Sequence, residues 1–330
     1  MAGMDVEALV HPLGEAAPCG TDLEDTQQMA AIDAFRVFGQ DRPLNTDTDW
    51  RAINAAALEA LGTSRDFRLL AHVAAAQLRL TGLQPFVDSL RVAAHWLEDY
   101  FDDVFPRIDD DAVLRKNALN YFADRMAVVD ALRRIPLVSN RQLGSFSLRH
   151  LAIAAGQQAP DAEDAGSPPT EAMINGAFTA APPEELVQLV ASIDAGLSAL
   201  KTIESAMVAK QGVQAAPDTG PVSGVLVRMR EIVAKHAPVP LVESSAEEAA
   251  DAETTPAGGV PGQIRTREDA VRSLDAVAEF FRRSEPSSPV PMFVERAKRL
   301  VSRNFLEVLA ELAPDSVAAV KHVGGIRDES

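Results

Sequence analysis

Between Trp50 and Leu132 apolar residues recur every three or four positions, interrupted only by short polar links. That spacing gathers apolar side chains on one face of a helix, so this stretch buries them only by packing helix on helix. Trp50, Ile53, Ala57, Leu58 and Leu61 line a first helix, which Gly62 closes. Thr63-Ser64-Arg65-Asp66 carries a start signal for a second, lined by Phe67, Leu70, Ala71, Ala74 and Leu78 and ended at Gly82. Leu83, Phe86, Leu90, Ala93, Leu97 and Phe101 line a third, stopped by Pro106. Asp109, Asp110 and Asp111 open a fourth, carrying Leu114, Ala118, Leu119, Phe122, Met126, Val129 and Leu132. Arg133 and Arg134 stand in its last turn, the polarity a helix dipole favours. Pro136 stops it, and 147–155 reads as a shorter helix. Such short links make neighbours antiparallel, so the predicted fold class is all-α, beginning with an N-terminal helical bundle.

The 330 residues exceed one ordinary core and suit two or three domains. Aromatic residues make up 5% of the chain, so the cores must be built from Leu, Val, Ile and Ala. The N-terminal helical domain spans 1–155, with a turn-rich start at 1–49 and a short helix near 29–37. A Gly, Pro and acid-rich break at 156–169 opens a middle helical unit, 156–236. There Pro182-Pro183-Glu184-Glu185 starts a long helix lined by Leu186, Leu189, Val190, Ile193, Leu197, Leu200, Ile203 and Met207. A further helix covers 222–236. Residues 237–262 combine five acids with prolines and glycines and no base, which marks a flexible linker of about 25–30 Å mean span. The last unit, 263–330, reads as three helices, with Pro286, Ser287, Ser288, Pro289, Val290 and Pro291 between the first two. The second carries Phe293, Leu300, Phe305 and Leu306, and the third begins at Pro314. Three helices of that length are marginal in isolation, and self-association would bury the surplus apolar surface.

Charge sharpens this division. Residues 263–330 hold 11 basic and 11 acidic side chains, so the whole net charge of −17 falls on 1–262. An acidic body repels phosphate backbones and anionic lipid, which argues against nucleic acid and against membrane insertion. No signal-like N-terminus and no uninterrupted run of 18 apolar residues is present, so the expected compartment is the cytoplasm. With Cys19 the sole cysteine, neither an internal disulfide nor a thiolate-rich zinc site can form.

Candidate chemistry is sparse. No Walker loop, GxGxxG, HExxH, GxSxG or EF-hand loop occurs, and no catalytic, cofactor or metal residue is assigned. Cys19 sits between Pro18 and Gly20 and reads as part of a turn. His72 and His95 fall within apolar helical segments and read as packed, hydrogen-bonded histidines. Arg133, Arg134 and Arg141 read as a solvated helix end. The prolines at 286–291 read as a rigid corner between helices. Two rival functions remain open. One is a metal-dependent hydrolase using Asp109, Asp110 and Asp111; the other is a helical adaptor with a small-molecule pocket.

An ordered set of segments resembles the TssA (ImpA) family of type VI secretion components. It comprises Pro12-Leu13-Gly14, Pro18-Cys19-Gly20-Thr21-Asp22-Leu23-Glu24, Thr63-Ser64-Arg65-Asp66-Phe67-Arg68-Leu69, the stretch from Trp96 to Pro106, Arg115-Lys116-Asn117-Ala118-Leu119 and Phe146-Ser147-Leu148-Arg149. Arg267-Glu268-Asp269-Ala270 and the prolines near 286–291 are similar to the tail of shorter members. The resemblance implies a non-enzymatic, cytoplasmic scaffold. Its C-terminal unit would form a ring with copies of itself, and it would engage baseplate, sheath and inner-tube proteins. Pro18, Cys19, Gly20, Asp22 and Leu23 then form a structural or partner-binding motif. Pro286, Ser287, Ser288, Pro289, Val290, Pro291, Phe293, Leu300, Phe305 and Leu306 are expected at the oligomer contact.

Overall fold

Short polar side chains start many of the helices. Asp5, Thr26, Asp49, Asp66, Ser147 and Thr170 each accept a hydrogen bond from a backbone N–H in the following first turn. Those donors have no partner inside the helix, so each cap removes an orphan. The computed structural model describes residues 3–42, 44, 48–160, 168–238, 267–284 and 290–301. It contains α1 (Val6–Val10), α2 (Gln27–Asp33), α3 (Trp50–Leu61), α4 (Phe67–Leu80), α5 (Leu83–Asp99), α6 (Val113–Asn120) and α7 (Asp130–Arg134). A small antiparallel hairpin follows, β1 (Val138–Asn140) and β2 (Gly144–Phe146), with Val138 opposite Phe146. Then come α8 (Leu148–Ala154), α9 (Glu171–Ala180), α10 (Pro183–Gln211), α11 (Gly220–Ala234), α12 (Arg267–Ser284) and α13 (Val290–Val301). The chain divides into two units, Met1–Val242 and Glu243–Ser330.

In the first unit α4 is the central helix. Eleven of its residues, Phe67 and Leu69–Leu78, are buried, because α3, α5 and α6 pack around it. A helix apolar on all sides must sit inside, and Ala71, Ala74, Ala75 and Ala76 let its neighbours approach closely. Each buried Phe or Leu here contributes about 2 kcal/mol by area. Beyond α5 lie α10 and then α11. Gly196 in α10 permits that contact, since a Cβ there would stand 3.1 Å from Val87 Cγ2 and 3.4 Å from Leu226 Cδ1. Trp96, Ile193, Leu200 and Met229 consequently belong to one hydrophobic cluster, so 1–155 and 156–236 share a core.

The sequence pattern misplaced several features. The helix expected near 29–37 is α2 at 27–33, begun by Thr26. The third helix ends at Asp99, and Tyr100–Phe105 forms a turn instead of a last helical turn. The fourth is not continuous. Asp124 breaks it with an extended backbone, and its carboxylate accepts from the Met126 and Ala127 N–H groups at 2.9 and 2.7 Å. An aspartate that offers the backbone a local partner competes with the helix ladder, and apolar periodicity does not register that. Apolar periodicity does not mark the β hairpin or α9 either. At 29 residues, α10 is by length and composition apolar enough to cross a membrane. Charged residues are interspersed along it, so it contains no unbroken run of 18 apolar residues. Here Leu186, Ile193, Leu200, Ile203 and Met207 of α10 are buried, and the helix packs on α5 and α11.

In the second unit α12 packs on α13. Arg282 pairs with Glu295 at 2.8 Å and Lys298 pairs with Asp275, so charges bridge the two helices. Ala278 is fully buried, whereas Val277, Met292 and Phe293 are 44%, 75% and 66% exposed. Most of the linker at 237–262, and the helix expected from Pro314, lie outside the described residues.

Candidate functional site

Pro18, Cys19 and Gly20 dock on the link between α3 and α4. Pro18 O accepts from Leu13 N at 2.8 Å, Cys19 O from Arg65 N at 2.8 Å, and Thr63 O from Thr21 N at 3.1 Å. Gly20 has φ +75, and a Cβ on it would fall 2.1 Å from Thr63 O. Glycine is required twice over, for its dihedral and for the close approach. The segment therefore lies as a short extended edge against 63–66, with Gly20 bridged to Ser64.

Two buried arginines tie neighbouring segments to this link. Arg65 donates to Leu61 O at 2.7 Å, Ala8 O at 2.6 Å and His11 O at 3.1 Å. The indole N–H of Trp96 donates to Leu9 O, while the Tyr100 hydroxyl donates to Val10 O. His95 Nε2 also lies 3.0 Å from Val10 O. The one-turn helix α1 thus finds partners for its terminal carbonyls in side chains from the α4 start and α5. Arg115 is fully buried in the turn that follows α5. It donates to Phe101 O at 2.5 Å, Val104 O at 2.6 Å and Pro106 O at 2.8 Å, with the Phe101 ring centroid 5.0 Å from its guanidinium carbon. Burial draws its pKa down to about 10, so it stays charged at neutral pH. Phe105 in turn joins the link, its N–H donating to Arg65 O and its carbonyl accepting from Phe67 N, both at 3.0 Å.

Cys19 is enclosed by this arrangement, at 1% exposure. Burial first, and repulsion from Asp103 second, push its thiol from 9.0 up to about 11. A buried neutral thiol is a poor nucleophile. Between pH 9 and about 11 the unfolded chain ionises Cys19 and the folded chain does not, so stability falls as pH rises through that window. Alkylation by iodoacetamide at pH 8 should therefore require unfolding. The Cys19→Ala chain should lose on the order of 2 kcal/mol less than the parent between pH 9 and 11, measured by urea denaturation. Rapid labelling of the native parent would contradict this placement.

Outside the buried knot, the same segments line a groove of about 520 Å³. Its walls are Gly20, Asp22, Glu24, Phe105, Pro106, Arg107, Asp109 and Leu114. Beneath it Arg68 pairs with buried Asp66 at 2.7 Å, with Glu24, and with Asp22 at 4.0 Å. Those partners hold its charge firmly, against the opposing effect of burial. Arg107 reaches Asp103 at 3.4 Å. Leu114 was expected on the buried face of the fourth helix, yet it is 59% exposed and neighbouring Val113 is 53% exposed. The core side of α6 is taken by Arg115, Ala118 and Leu119. A pattern that scores arginine as solvated cannot anticipate that shift. The motif divides accordingly: Cys19 and Leu23 are buried, Pro18 and Gly20 half-buried, and Asp22 exposed.

The remaining candidates disperse. Asp111 accepts from Val113 N at 2.9 Å, and among the described residues no three His, Cys, Asp or Glu side chains converge to hold a metal. His72 is buried with Nδ1 2.8 Å from Arg68 O. Arg134 pairs with Asp130 at 2.8 Å, and Arg141 is exposed. Arg133 borders a second groove, of about 710 Å³, between α8, α9 and α11, whose walls include Leu151, Ile174, Gly224, Val225 and Arg228.

The family model for "ImpA, N-terminal, type VI secretion system" matches residues 10–124, which contain every residue lining the acidic groove. Type VI secretion system component TssA1 of Pseudomonas aeruginosa is 30% identical, over 99% of this chain and 100% of that protein. The chain belongs to the TssA family. A solved N-terminal domain of the TssA component from Burkholderia cenocepacia, including the conserved ImpA_N region, superposes with a TM-score of 0.58 at 21% identity. It covers 72% of this chain and 94% of that domain. In this TssA-family chain the predicted oligomer residues lie in the second unit. Val290 and Pro291 are half-buried at the start of α13, Phe293 is exposed, and Leu300 belongs to α13. Pro286, Ser287, Ser288, Pro289, Phe305 and Leu306 lie outside the described residues.

Proposed function

We propose that the chain is a non-enzymatic, cytoplasmic scaffold of a type VI secretion system. Its second unit joins copies into a ring, and its first unit engages baseplate, sheath and inner-tube proteins during assembly. The observation that carries this reading is near end-to-end similarity to a TssA component, extending through the second unit. Two features support the division of labour. Met292 and Phe293 expose large apolar side chains on an ion-paired helical hairpin, and such surface is normally covered by another chain. The acidic segment expected to be a linker at 237–262 would act as a tether, so that a ring of many copies turns weak contacts into avidity.

Absolute mass by light scattering tests the ring. The full chain should form a large defined oligomer, and a Met292→Asp, Phe293→Asp double variant should be monomeric with an unchanged melting temperature of the first unit. A monomeric parent chain would sink the proposal. An oligomer untouched by the double substitution would move the contact away from the start of α13.

A further inference from the structure

We infer that the groove lined by Asp22, Glu24, Arg107, Asp109 and Leu114 is the docking site for a basic segment of a partner protein that inserts a large apolar side chain beside Leu114. This rests on the scaffold reading and names the partner chemistry of its first unit. Charge chooses the occupant. Three carboxylates and one guanidinium line the groove, and the guanidinium of Arg107 is already matched by Asp103. Arg68 pairs with buried Asp66 and with Glu24 and lies 4.0 Å from Asp22, so its single charge offsets only one of these three carboxylates. The wall thus presents an uncompensated negative charge on a chain whose net charge is −17. An acidic or phosphate-bearing occupant would meet repulsion there, whereas arginines or lysines would find carboxylates on both rims.

Apolar surface fixes the second half of the recognition. Among the described residues of the first unit, Leu114 and Val113 are two of the few large hydrophobic residues left more than half exposed, and Leu114 shares the groove lining with Phe105 and Pro106, which are themselves buried. Apolar side chains ringed by charge give an interface both burial and orientation. The scaffold behind is rigid: Cys19, Thr21 and Phe105 are held by backbone hydrogen bonds to 63–67, and α6 is anchored by Arg115. A site that needs little ordering on binding loses less affinity to entropy.

The test uses the full chain and a fluorescein-labelled peptide bearing paired leucines flanked by arginines, with a glutamate-for-arginine version as control. Anisotropy should show saturable binding of the arginine peptide that weakens as salt rises. Leu114→Ser and Asp109→Arg should each weaken it by about tenfold or more, with the melting temperature unchanged. Glu204→Arg, an equal charge change on exposed α10 surface, should leave it within about twofold. Equal binding of the glutamate peptide, or indifference to Leu114→Ser, would overturn the assignment. So would self-association abolished by Leu114→Ser with no peptide binding, which would make a second copy the occupant. The oligomeric mass of the same samples separates the two ideas. A monomer that still binds the peptide overturns the ring alone, and an intact ring that ignores the peptide overturns the groove alone.

Discussion

Replacing Arg115 with methionine lowers the unfolding free energy of the first unit by about 3–5 kcal/mol. The side chain is fully buried, and its guanidinium is the donor for Phe101 O, Val104 O and Pro106 O. Methionine fills much of the volume but donates nothing, so three carbonyls lose a charge-assisted partner where water is scarce. Each such loss costs about 1–3 kcal/mol, and relaxation of the turn recovers part of it. Lysine is not a substitute, since one ammonium cannot reach three carbonyls in a planar fork. Urea denaturation followed by circular dichroism checks the value. A loss below about 1 kcal/mol would mean that water takes over the carbonyls and that the turn is less closed than its geometry indicates.

Gly20→Ala should cost about 3–4 kcal/mol, a large effect for one methyl group. The left-handed dihedral alone accounts for about 1–2 kcal/mol. The remainder comes from the position of the Cβ, 2.1 Å from Thr63 O and 2.8 Å from Leu13 Cδ1. Leu13 can swing its side chain aside, but the Thr63 contact is not relieved without moving backbone, and moving it breaks the Thr21–Thr63 and Arg65–Cys19 hydrogen bonds. Loss of those bonds would expose Cys19, so the variant should also become alkylatable below its unfolding midpoint. Stability equal to the parent's would show that the extended edge shifts at no cost, and the docking of Pro18-Cys19-Gly20 would have to be redrawn.

How much of this was legible beforehand depends on which residues carried the signal. Trp50–Leu61, Phe67–Leu80 and Leu83–Asp99 were readable almost to their ends, because their apolar stripes repeat at helical spacing and Asp49, Asp66 and Gly82 punctuate them. The helical fold class and the family followed from local pattern and ordered motifs. The chemistry inside the motifs did not. In a string, Arg65, Arg79 and Arg115 look like surface residues, yet Arg65 and Arg115 are buried on backbone carbonyls, and Arg79 stacks 4.0 Å over Trp50 while donating to Met126 O and Ala127 O. The break at Asp124 was equally hidden, since its carboxylate answers to Met126 and Ala127 and also to Gly39, 85 positions away.

Periodicity, caps and breakers act over one or two turns, so the amino-acid order was enough to specify the helices from Trp50 to Asp99, the Gly20 turn and the acidic balance of the first part of the chain. Long-range proximity obeys no such local rule. Three distant segments, at 20–24, 105–109 and 114, come together because Gly20 must lie against Thr63, Phe105 must bond to Arg65 and Phe67, and Arg115 must find three carbonyls at once. Those conditions are met only when α3 to α6 have packed. The packing is what turns a buried structural motif on one side into an acidic groove with an exposed leucine on the other.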